Sequence, residues 1–143
     1  PFGATRNEQV ATFTMGHCAP TDEEADAVAR ESFEWYPVAG ARHIASVAEW
    51  MQESETELGT YDYAADAKQM DDDGTLDLLS YEYIRDSGSA VVGSPERCVE
   101  AAKRYEAVGV DLLLCLVNPY NIPHDDVMTS IELMGREVIP HFD

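Results

Sequence analysis

At 143 residues, 45% hydrophobic and 26% charged, the chain has the size and composition of a single globular domain, here taken as 1–143. Nine Lys and Arg against 28 Asp and Glu leave a formal charge of −19, which repels phosphate backbones and anionic lipid alike and excludes nucleic acid and membrane surfaces as partners. No apolar run approaches the ~20 residues that span a bilayer, and PFGATRNEQV lacks the basic and apolar regions of a signal peptide, so a cytoplasmic protein is expected. Because it opens on Pro1, the chain is also expected to be processed or a piece of something longer.

QVATFTMGHCA, residues 9–19, reads as a strand, and Thr21-Asp22-Glu23-Glu24 after it has the T-x-x-E spacing of a capping box. Ala25, Val28, Ala29 and Phe33 then recur at helical spacing, with the helix expected to end near Pro37 to Gly40. Ile44, Val47, Ala48 and Met51 mark a second helix. GTYDYAADAKQMDDDG, residues 59–74, mixes a short helix with acidic turns, and Leu76, Leu79, Tyr83 and Ile84 suggest another, so residues 40–86 read as a helical insertion.

After the extended Ala90-Val91-Val92, Gly93 allows a turn, Ser94 is a good N-cap and Pro95 suits the first helical position. Cys98, Ala101, Ala102, Tyr105 and Val108 line one face of that helix, and Gly109 stops it before VDLLLCLV. That run is apolar on both faces, as a buried parallel strand requires. A last helix, from about Pro123 to Val138, puts Val127, Ile131, Met134 and Val138 on its inner face, and Pro140 closes it.

The turn at 16–24, VVGSPERC at 91–98, AVGVDLLLCLVNPYNIPHDDV at 107–127 and SIELMGREVIPHF at 130–142, in this order and spacing, resemble the carboxy-terminal part of the luciferase-like flavin-dependent monooxygenases. The resemblance implies an α/β fold that is part of a (β/α)8 barrel, whose full length is ~250 residues. It further implies reduced FMN, or a deazaflavin in some relatives, bound at the carboxy-terminal ends of the strands, with oxygen used to oxidise an organic substrate. The first strand would correspond to the seventh of the barrel and VDLLLCLVN to the eighth. The family's catalytic positions fall mostly in the part this chain lacks, and none is carried over. The rival expectation is a non-catalytic interaction module that has lost the flavin.

Since such barrels place their sites at the carboxy-terminal strand ends, the positional candidates are Gly16, His17 and Cys18 after one strand and Asn118, Pro119 and Tyr120 after the other. Among them His17 and Asn118 carry polar groups suited to a flavin or substrate oxygen. Cys18, Cys98 and Cys115 have no paired spacing and read as packed, reduced thiols. Asp71, Asp73 and Asp77 around Gly74 imitate a calcium loop, but Gln69 and Ser80 stand where its first acid and its bidentate Glu belong, so no metal is expected there. His43, His124 and His141 show no metal spacing, and Trp35 and Trp50 read as packing anchors on amphipathic helices. In an incomplete sheet VDLLLCLV would be the outermost strand, so a homo-oligomer or association with the missing barrel portion is expected unless the 40–86 segment covers the edge.

Overall fold

The computed structural model describes residues 9–53 and 62–142, so part of the expected 59–74 segment lies outside the described residues. The chain runs β1 (Ala11–Cys18), α1 (Asp22–Glu53), α2 (Asp62–Asp72), a 3-10 turn (Thr75–Leu78), α3 (Tyr81–Asp86), β2 (Ala90–Gly93), α4 (Pro95–Ala107), β3 (Leu112–Leu116) and α5 (His124–Leu133). A π turn (Met134–Val138) and a 3-10 turn (Ile139–His141) follow. No described helix is long and apolar enough to cross a membrane.

The strands form one parallel sheet in the order β2-β1-β3. Met15 to Cys18 pair with Ala90 to Gly93, and Ala11 to Met15 pair with Leu112 to Leu116. Side chains alternate between the faces of a strand, which separates the core into two layers. Met15, Ala90 and Val92 pack with Ala25, Ala29 and Phe33 of α1 and with Tyr81 and Ile84 of α3. On the opposite face Cys18 and Val91 pack with Cys98 and Val99 of α4 and with Leu133 and Val138. Helices therefore cover both faces of a small open sheet. Three consecutive strands of a barrel would lie in the order β1-β2-β3; here β3 has crossed to the other side of β1.

Local signals set the element ends. The Thr21 hydroxyl accepts the Glu24 N–H at 3.2 Å, opening α1 as its capping pattern requires. Gly93 has φ 142°, and a Cβ there would come within 2.6 Å of Arg97 Cδ and 2.8 Å of Asp22 Oδ1, so only glycine fits this turn. Ser94 then caps α4 by accepting the Arg97 N–H at 3.4 Å, with Pro95 at the start of the helix. Ser94→Ala should therefore cost about 1 kcal/mol. Denaturant melts that leave the midpoint unmoved would remove that role from the hydroxyl.

The first helix does not end at Pro37 to Gly40. It continues unbroken to Glu53 with Pro37 inside it. Proline removes one helical hydrogen bond and crowds the preceding turn, at a cost of about 3 kcal/mol. Tertiary packing offsets this, because the second half of α1 lies along α2 and buries Ala45, and α2 buries Ala64 and Ala67. Arg42 on this half ion-pairs with Asp71 at 3.0 Å and Asp77 at 3.4 Å, while Asp73 accepts the Thr75 N–H at 3.0 Å, so the acids of the calcium-like loop serve as local partners.

β3 also departs from the expectation of a strand buried on both faces. Leu112 is 45% exposed and Leu114 49%, because β3 is an edge strand and the layer of α1 is centred on β1 and β2. Among the described residues neither α2 nor α3 packs substantially on β3. In α5 the buried residues are Ser130 and Leu133, and Ile131 is half exposed. Cys18 and Cys98 are buried as expected, whereas Cys115 is exposed.

Candidate functional site

The connections leaving the carboxy-terminal ends of β1 and β3 diverge. α1 lies wholly over the face that holds Met15, while α5 begins beside it, with Val127 against the first core layer, and ends in the second, with Leu133. Adjacent parallel strands whose connections part in this way leave a crevice beyond their ends, which is where open α/β sheets bind ligands. A crevice of about 400 Å³ occupies this place, lined by His17, Cys18, Ala19, Pro20, Glu24, Ala27, Val28, Asp126 and Thr129. The Ser130 hydroxyl fixes α5 there by accepting the Cys18 N–H at 2.9 Å.

His17 is only 1% exposed, and its Nδ1 has no hydrogen-bond partner among the described residues. Burial pushes its pKa below the usual histidine range, and the nearby Asp126 carboxylate partly restores it. Folding thus favours the neutral ring. As pH falls through the ordinary histidine range of about 6.5, the unfolded chain takes up the proton first and stability is lost until the depressed folded pKa is passed. His17→Gln should flatten this part of the stability-versus-pH curve. Parallel melts of the two proteins from neutral to mildly acidic pH check it, and equal slopes would show that His17 is not the group responsible.

Of the other strand-end candidates, Asn118 does not line this crevice. Its side-chain oxygen accepts the Ile122 N–H at 3.1 Å, within a turn where Asn121 takes a left-handed φ of 49°. Tyr120 donates its backbone N–H to the Ser32 hydroxyl at 2.9 Å and stacks on Trp35 at 4.3 Å. Trp35 is nevertheless 45% exposed and Trp50 64%, so neither is a buried anchor. Gly16 lets β1 and β3 approach: a Cβ there would meet Cys115 Cβ at 2.9 Å.

A second polar cluster, not singled out from the sequence, joins α1, α3 and α4. Asp26 accepts the Tyr81 hydroxyl at 2.6 Å, Arg85 at 3.0 Å and Arg97 at 3.3 Å. Asp22 accepts the Ser94 N–H at 2.7 Å and faces Arg97 at 3.7 Å. The hydrogen bond from Ser94 holds the Asp22 carboxyl below its usual range, while burial, then Asp26, raises Tyr81 above its own. The helical spacing of Asp22 with Asp26, and of Tyr81 with Arg85, was the available signal.

No protein-family model and no curated protein matches the sequence. Among solved structures, the chain is similar to the oxygenating constituent of 3,6-diketocamphane monooxygenase from the CAM plasmid of Pseudomonas putida, a type II Baeyer-Villiger monooxygenase solved in complex with FMN. The match has a TM-score of 0.52 and 20% identity, and covers 93% of this chain. This chain spans 33% of that protein's length, and at this identity what the two share is fold.

Proposed function

We propose that the chain is the carboxy-terminal portion of a flavin-dependent monooxygenase, acting with reduced FMN or a deazaflavin and oxygen on an organic substrate when joined by the β/α units it lacks. The observation that carries the reading is the overlay of 93% of the chain on one third of an FMN-binding monooxygenase. With β1 and β3 taken as the seventh and eighth strands, β3 beside β1 is the neighbour a barrel would give it, and the place of β2 on the other side of β1 would belong to a preceding strand. The missing portion, or failing that a second copy, is then the partner of the open β3 edge.

FMN as a whole does not fit the crevice. A phosphate dianion seeks cations or free helix N–H groups, but Glu24 and Asp126 stand at the helix starts and no Lys or Arg lines the walls. The neutral His17 ring suits an uncharged oxygen or ring edge, while the amide nitrogen of Asn118 would have to meet the cofactor outside this crevice. The phosphate must then be held outside this crevice. The competing module reading draws on the same misfit and on the exposed β3 edge.

The test extends the natural reading frame upstream and titrates both proteins with FMN, following quenching of its fluorescence. The extended protein should bind FMN and the 143-residue chain should not. Since His17 is buried, His17→Gln is the suitable variant; in the extended protein it should weaken flavin affinity or turnover with little change in Tm. An extended protein without affinity for FMN would overturn the enzyme reading in favour of the module.

A further inference from the structure

We propose that the crevice between the starts of α1 and α5 binds a small organic cation, a protonated primary amine on an apolar body. The proposal does not rest on the flavin reading, because it needs only groups of this chain. The charged groups lining the crevice are the carboxylates of Glu24 and Asp126, with the Thr129 hydroxyl beside them. Neither carboxylate takes a hydrogen bond or ion pair from another side chain among the described residues, whereas Asp22 and Asp26 nearby are engaged by Arg97, and Asp26 also by Arg85.

His17 supplies an independent indication of a ligand. It lines the crevice, is 1% exposed, and holds a buried ring nitrogen without a partner. Buried polar groups are ordinarily satisfied, so an imidazole left short of one bond is a group that an incoming ligand can complete. An ammonium has three N–H donors, enough to reach two carboxylates and an imidazole nitrogen together. Its hydrocarbon part would lie on Pro20, Ala27 and Val28. An anion meets two carboxylates and is repelled; a neutral alcohol satisfies the ring but leaves both negative charges without a counterpart.

Benzylamine, benzyl alcohol and benzoate share one ring and differ in charge. Each is titrated into the 143-residue chain carrying isotopically labelled histidine, with His17→Gln identifying the His17 ring signals. Benzylamine should saturate, shift the His17 ring resonances and lower the pH at which that ring protonates, since a cation beside it opposes imidazolium. Benzyl alcohol should bind about tenfold more weakly and benzoate should not saturate. Asp126→Asn and Glu24→Gln, both outside the buried core, should each weaken benzylamine by about three- to tenfold and leave benzyl alcohol unchanged. Equal binding of the three compounds, benzylamine affinity unmoved by both substitutions, or saturation with no change at His17 would each overturn the proposal.

Discussion

Replacing Asp26 with alanine is expected to cost about 2–3 kcal/mol of stability, because it leaves the Tyr81 hydroxyl and two guanidinium groups facing an empty site. The side chains of Asp26, Arg85 and Arg97 are 22%, 23% and 26% exposed, so the loss falls below that of a fully buried ion pair. Tyr81 itself is fully buried and packs against Phe33, with Arg30 over its ring at 4.7 Å. Asp26→Asn keeps an oxygen for the hydroxyl and should recover part of the loss. Arg42→Ala, which removes only exposed pairs with Asp71 and Asp77, should cost no more than about 1 kcal/mol. Urea melts of the three variants decide the matter: equal costs for Asp26→Ala and Arg42→Ala would mean that the cluster behaves as ordinary surface charge.

The second large effect concerns association. Among the described residues β3 pairs only with β1, so alternate backbone groups on its outer side meet no strand there, and Leu112 and Leu114 stand half exposed beside Phe13, itself 54% exposed. On the other face of β3 a groove of about 680 Å³ is lined by Leu113, Tyr105, Met134, Val138 and Phe142 among others. An apolar edge of this kind is a template for strand addition. The chain should therefore self-associate at micromolar concentration, more strongly as salt screens its net charge of −19. Leu114→Lys should return it to a monomer. Light scattering that finds the parent chain monomeric at high and low salt would sink this expectation.

What could be read from the sequence was what neighbouring residues decide. Gly93-Ser94-Pro95 combines a turn, a cap and a preset φ, and α4 begins there as expected. The Thr21 cap was legible for the same reason. Pro37 misled because its local penalty is outweighed by packing against α2, an element remote in sequence. The exposure of Leu112 and Leu114 follows from β3 lying at an edge, as expected for the outermost strand of an incomplete sheet, whereas the apolar composition of the run pointed to burial on both faces. The rule that strand ends carry sites brought up His17, which lines the crevice. The same rule brought up Asn118, whose oxygen instead closes a turn onto Ile122. Glu24 was legible only as part of the capping pattern, and it is the divergence of α1 from α5 that sets it and Asp126 around one crevice.

The strand order also bears on how the chain reaches its native state. Of the three strands β1 comes first along the chain, yet both its partners come much later: Met15 must wait for Ala90, and Ala11 for Leu112. Until β2 and β3 arrive, β1 is without the two strands it pairs with here, and α1 has no completed sheet to pack upon. Contacts so distant along the chain carry a large loop-closure cost before they return any stabilisation, and they slow folding. The Val10 N–H bonded to Asp111 Oδ2 at 2.8 Å, across 101 residues, fastens the last of these closures. Refolding should accordingly be limited by the arrival of β2 and β3 at β1, with the helices forming before it.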